Sequence, residues 1–213
     1  MPAVYPSFLA IMALSLLPFF VVMGTAYTKI SIVLMLLRNA LGVQQAPSGL
    51  VLNSIAMTLT VFIMVPVGDA ILTEVRDRNL SMNSLEDAMS AFEVVTLNMK
   101  VYLTKHSTDQ DLKFFMEAAK AMWPENLSRH IVADNLFLLL PAHVVSEISR
   151  AFQIAFLLFL PFVVIDMVVS NILLALGAMM VPPMMISLPI KLLLFVAVDG
   201  WSRLLHALIL SYL

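Results

Sequence analysis

AFQIAFLLFLPFVVIDMVVSNILLALGAMMVPPMMISLPI, residues Ala151–Ile190, holds a single charge, Asp166, and a turn with four methionines and two adjacent prolines. A membrane helix needs about 20 apolar residues, so the first part of this stretch is long enough to span. Pro182 and Pro183 supply no amide donors and disfavour helical angles in the residue before them, so the arriving helix is expected to break at Met180. Gly177, Pro182 and Pro183 thus predict a helix-breaking turn, with Met179, Met180, Met184 and Met185 around it. By residue type these methionines read either as apolar filler at a helix end or as a surface that must fit tightly and still yield. Unbranched, polarizable thioethers suit the second role.

Composition sets the class. The chain of 213 residues is 61% hydrophobic and 12% charged, with a mean hydropathy of +0.96, whereas soluble domains run at roughly 45–50% apolar and about 25% charged. An integral membrane protein, or a subunit of an apolar assembly, is expected. Twelve basic against 14 acidic residues leave no nucleic-acid signature, and the lack of cysteine excludes disulfides and thiolate metal sites.

Charge divides the chain into three. Apolar segments at Phe8–Leu37, Val51–Val67, Ala151–Ile190 and Leu192–Leu213 flank a middle that carries 12 of the 14 acidic and 8 of the 12 basic residues. The expected fold is all-α: long kinked helical hairpins at 1–67 and 151–213, with a small polar helical domain inserted at 68–150. Arg38 in the first hairpin loop is the one basic residue that orients the short loops. It places both hairpin turns on the cytoplasmic side, and the termini and central domain outside. The first segment lacks the basic start of a cleaved signal peptide.

The two hairpins share a bend. Ala40-Leu41-Gly42 precedes Pro47 as Ala175-Leu176-Gly177 precedes Pro182, a repeat of A-L-G-x-x-x-x-P. Length is the anomaly. A helix over Phe8–Leu41 would reach about 51 Å and one over Pro141–Met180 further still, with Pro161 a kink site, against a hydrocarbon core of about 30 Å. Tilt does not absorb so much excess twice, so these helices either project from the bilayer or pack on other subunits.

In the central domain, Leu85, Ala88, Phe92, Val95, Met99 and Tyr102 form a helical stripe behind a capping box at Ser84–Asp87. A second helix is expected from Ser107 or Thr108 to Trp123, with Leu112, Phe115, Met116 and Ala119 inward and Pro124 ending it. Both stripes read as core. Asp199 and Arg203, spaced i,i+4, can pair on one helix face. Lys191 and Asp166 lie on opposite arms of the Met-Pro hairpin, at distances from the turn that look too unequal for them to meet. Lys191 is therefore expected either to snorkel or to pair between subunits with Asp166 or Glu147 of a neighbouring copy. No phosphate loop, metal-ligand spacing or nucleophile elbow occurs, and His106 and His130 read as solvated; the chain is expected not to be an enzyme and to hold no metal or cofactor.

Several stretches carry a family resemblance. Tyr27-Thr28-Lys29-Ile30 with Leu37–Pro47 form one signature; Ser146-Glu147-Ile148, Ala151–Ile154, Leu160-Pro161-Phe162, Ile165-Asp166, Pro182-Pro183 and Lys191 through Trp201 form the other. They resemble the flagellar FliP and virulence type III secretion SctR family of export-gate proteins, nearer the virulence branch. The resemblance implies a multi-pass protein of the bacterial inner membrane, with much of the assembled complex on the periplasmic side. It also implies a homo-oligomer of about five copies with two smaller membrane subunits, larger export-gate and switch components, and unfolded secreted proteins as substrates. The family's methionine triplet, the gasket of the closed pore, maps onto Ala178-Met179-Met180. Position 178 departs from it, so one layer is narrower or is supplied by Met184 or Met185. The rival reading is a secondary transporter or ion-channel subunit, with Asp166 and Lys29 binding a coupled ion.

Overall fold

The computed structural model describes residues 15, 18–43, 46–80, 85–128, 131–178 and 180–213. Among them the secondary structure is helical without strands, as expected. The helices are α1 (Pro18–Gly24), α2 (Tyr27–Leu41), α3 (Gly49–Asp77), α4 (Leu85–His106), α5 (Asp109–Met122), α6 (Glu125–Ser128), α7 (Leu136–Ala175), α8 (Pro183–Ala197) and α9 (Gly200–Leu210). Two of them, α3 and α7, are long and apolar enough to cross a membrane alone. The pairs α1 with α2 and α8 with α9 qualify only when joined across a break, which gives up to four spans.

One expected long helix is interrupted. Phe8–Leu41 does not run through as a single helix, because the chain breaks at Thr25–Ala26. The Thr25 hydroxyl donates to the Val21 carbonyl and the Thr28 hydroxyl to that of Val22. Side chains that claim backbone acceptors in this way, next to the weak helix former Gly24, compete with the helical ladder. By contrast α7 runs 40 residues through Pro141 and Pro161, roughly 60 Å at the standard rise.

The chain packs as two compact units, one of residues up to Thr28 with Thr60–Ile148, the other of Lys29–Leu59 with Ser149–Leu213. In the first, Tyr102, Leu103 and Leu139 form a buried cluster against Met64, Val67, Leu112, Leu136 and Leu140. Of the expected α4 stripe Tyr102 is buried, but most of the buried face is a different one. Ala91, Val94, Tyr102 and Leu103 are buried, whereas Phe92 is 70% exposed and Ala88 and Val95 are exposed too. Both stripes satisfy a three-four period, so the period alone does not choose between them and burial follows the packing partners.

Helix α5 starts and stops where its sequence predicts. Thr108 caps it by accepting from the Asp111 amide and donating to the Asp111 carboxylate at 2.6 Å. Ser146 of α7 joins them, donating to Asp111 and accepting from the Thr108 amide at 2.9 Å. At the other end the Trp123 amide closes on Ala119, and Pro124 follows. The proposed capping residue of α4, Ser84, lies outside the described residues.

In the second unit, Ile30, Val33, Leu34 and Leu37 bury one side of α2 completely. Helices α8 and α9 meet at a 62° bend where Asp199 takes left-handed angles, φ +52°. Asp199 therefore stands outside the helix that carries Arg203. The Arg203 amide bonds to the Asp199 carbonyl at 3.1 Å, but the expected side-chain pair does not form. Above the bend, Phe195 packs between Phe162 and Trp201, with ring centroids 6.4 and 5.4 Å away. A Cβ on Gly200 would enter the buried Phe195 ring. Gly200→Ala is accordingly expected to destabilise by about 1–3 kcal/mol, measured as a lower unfolding midpoint in detergent. Phe195→Leu should recover part of that loss in the double variant, since the two residues share one contact.

Candidate functional site

Both predicted bends turn on a glycine at positive φ, Gly42 at +76° and Gly177 at +69°. After α7 the Ala178 amide bonds to the Leu173 carbonyl at 2.9 Å and the Gly177 amide to Leu174 at 3.1 Å. This paired closure is the Schellman arrangement, which needs left-handed angles at its glycine. It ends the helix at Ala175, five residues before Met180 where the prolines alone predict the stop. The prolines instead start the next helix: Pro182 is the cap and Pro183 the first helical residue, a position where a missing amide is harmless.

The methionines are distributed unevenly around this turn. Met180 is 97% exposed at its tip, Met185 is also largely exposed, and Met184 is half-exposed. Met179 lies outside the described residues. The Met184 methyl faces the other bend, since a Cβ on Gly42 would lie 3.7 Å from it.

Beyond the turn lies a buried cation. Lys191 is 5% exposed; its ammonium donates to the Asp166 carboxylate at 2.6 Å and to the Ala40 carbonyl at 3.2 Å. Lys191 and Asp166 therefore meet within one chain, contrary to expectation, and Lys191 does not snorkel. The reason is the early stop of α7. Residues 176–182 belong to neither arm, which puts Asp166 nine residues before the end of one helix and Lys191 eight residues past the start of the other. At the standard rise these are roughly 13.5 and 12 Å from the bend, so the two sit level. Pairing inside the chain removes the reason given for a bond between copies. The Ala40 carbonyl, in the last turn of α2, is one that a helix leaves unbonded and partly negative.

Two further groups lie apart from the turn. Lys29 is buried in α2 with its ammonium 3.5 Å from the centroid of the Tyr212 ring, a cation–π contact. Glu147, in the first unit, is wholly buried. Near it are two buried histidines, His143 and His106, at 5.7 and 4.7 Å from the Tyr102 ring. His106 is thus not solvated as expected, and His130 lies outside the described residues. The signal was present in the spacing: Tyr102 with His106 and His143 with Glu147 are both i,i+4 pairs. Among the described residues, no three His, Cys, Asp or Glu side chains are placed to hold a metal.

The sequence model of the FliP family matches residues 10–208. The chain belongs to the FliP family. It is 46% identical over 199 residues to the Yop proteins translocation protein R of Yersinia pestis, covering 93% of this chain and 92% of that one. Similarity is as extensive to the surface presentation of antigens protein SpaP of Salmonella typhi, 42% over 215 residues with 97% and 96% covered. The harpin secretion protein HrcR of Erwinia amylovora is 42% identical over 202 residues, with 94% and 93% covered. FliP-family membership makes this chain a membrane component of a protein-secretion apparatus rather than an enzyme.

The Tyr102 hydroxyl is buried with no hydrogen-bond partner among the described residues. Burial first, and the charge of Glu147 second, push its phenol well above the ordinary tyrosine range. An unfolded chain releases this proton near pH ~10 while the folded one keeps it, so stability falls as pH rises above that value. Tyr102→Phe should remove this alkaline loss and leave neutral-pH stability unchanged or raised by about 1 kcal/mol, as read by unfolding midpoints between neutral and alkaline pH.

Proposed function

We propose that the chain is a core subunit of a type III protein-export gate in the bacterial inner membrane. In this reading several copies converge around an axis, and the methionine turn of each closes a pore through which unfolded proteins leave the cell. The observation that carries it is Met180: an unbranched apolar side chain, 97% exposed at the tip of a turn braced by a Schellman glycine on one side and a Pro-Pro helix start on the other. Exposed apolar tips of this kind are surface awaiting contact. Thioethers can pack on one another when no substrate is present and re-pack around any polypeptide that parts them. Met179 belongs to the same seal, and Met184 and Met185 form a secondary layer.

The naming of relatives after Yop, harpin and antigen-presentation secretion supports the virulence branch. The copy number of about five, the two smaller membrane subunits, the larger export-gate and switch components, and a periplasmic position for much of the complex, including the domain at 68–150, belong to the same proposal. Ion-coupled transport is less well supported, because the carboxylate it would use, Asp166, is held by Lys191 at 2.6 Å.

Met179→Ala/Met180→Ala should leave secretion running while the resting membrane becomes leaky to small ions, by about tenfold or more if sealing is lost. Conductance or dye-permeability measurements in cells carrying the complete apparatus check this. An unchanged resting permeability would remove the gasket.

A further inference from the structure

We infer that Lys191 is a positioning residue, a pin that sets the methionine turn against the end of α2. This rests on the gasket reading above and concerns what holds the gasket in place. One ammonium joins three elements of the second unit: its own helix α8, the Asp166 carboxylate of α7, and the Ala40 carbonyl at the C-terminal end of α2. With Lys191 this deeply buried, sliding α8 past either neighbour by a turn would strip a cation of its acceptors in apolar surroundings. The position of α8 is therefore discrete rather than continuous.

The same end of α2 meets α8 a second time. A Cβ on Gly42 would lie 3.7 Å from the Met184 methyl and 4.0 Å from Leu188, so the two contacts bracket the first part of α8. Between them stands Pro189, which withholds an amide from the helix ladder and makes a natural flexing point. Without the contact at Lys191, the first part of α8 would lose its charged tie to the end of α2 and keep there the apolar contact of Met184 and Leu188 with Gly42.

The test uses the complete apparatus in cells. Asp166→Asn/Lys191→Met removes both charges at near-constant volume, and pairs removed together leave no orphaned charge. The variant is expected to assemble in wild-type amount but to leak at rest by about tenfold, equivalent to about 1.4 kcal/mol in the closed–open balance. Lys191→Arg keeps the donors and should seal. The exchange Asp166→Lys/Lys191→Asp keeps an ion pair but sets a carboxylate against the Ala40 carbonyl, and should leak as badly as the neutral pair. A neutral pair that seals like wild type, or an exchange that restores the seal, would overturn the pin. So would failure of the neutral pair to assemble, which assigns the residues to folding. Met180→Ala is measured alongside. If it leaks and the neutral pair does not, only the pin falls; if it seals, the gasket falls and the pin with it.

Discussion

Apolar helix surface that the chain does not cover for itself governs this molecule. In the most apolar windows of α3 and α7 only 17% of the residues are buried, and side chains such as Phe152, Phe156, Leu157 and Met167 stand in the open along α7. At about 25 cal/mol per Å², surface of this kind must find lipid or protein. A bilayer core of about 30 Å accounts for only about half of a 40-residue helix. The remaining length is apolar surface that the proposed assembly would cover. Exposed Phe92 and Val101 extend the same demand to α4, which is not among the helices long and apolar enough to cross a membrane.

Against that apolar background the few buried polar groups act as fixed points. The second unit has two buried ammonium groups, and each has its own solution: Lys29 lies over the Tyr212 ring, while Lys191 takes a carboxylate and a helix-end carbonyl. Neither could be shifted by a turn without desolvating a charge for nothing in return. Backbone geometry supplies the other constraint. Gly42 and Gly177 turn the chain at positive φ, and the prolines that follow the second bend make its exit as well defined as its entrance. The outcome is a turn with defined entrance and exit on which Met180 and Met185 remain exposed.

Local grammar was legible in the sequence and tertiary phase was not. The cap at Thr108, the stop at Pro124 and the repeated A-L-G bend depend on neighbours within a few residues, and each is found where residue chemistry puts it. Helix α7 stops five residues before Met180, where the prolines alone predict the break, because a glycine closing a helix acts before a proline can break one. That offset of five residues is what sets Asp166 and Lys191 level. The face of α4 could not be read from period alone, since stripes through Phe92 and through Ala91 fit it equally and only packing partners choose. The break at Thr25–Ala26 arises from hydroxyls bonding to carbonyls, a competition that leaves hydropathy unchanged. At the candidate site, residue types and the family signatures pointed to the turn, while the pin beneath it required a contact between residues 151 positions apart.

The central claim is that copies of this chain close a pore together, and the mass of the intact complex extracted from the membrane tests it most directly. Native mass spectrometry is expected to find several copies of the 23.6 kDa chain in one particle. A stable monomer, with its apolar helices satisfied by detergent alone, would contradict the account.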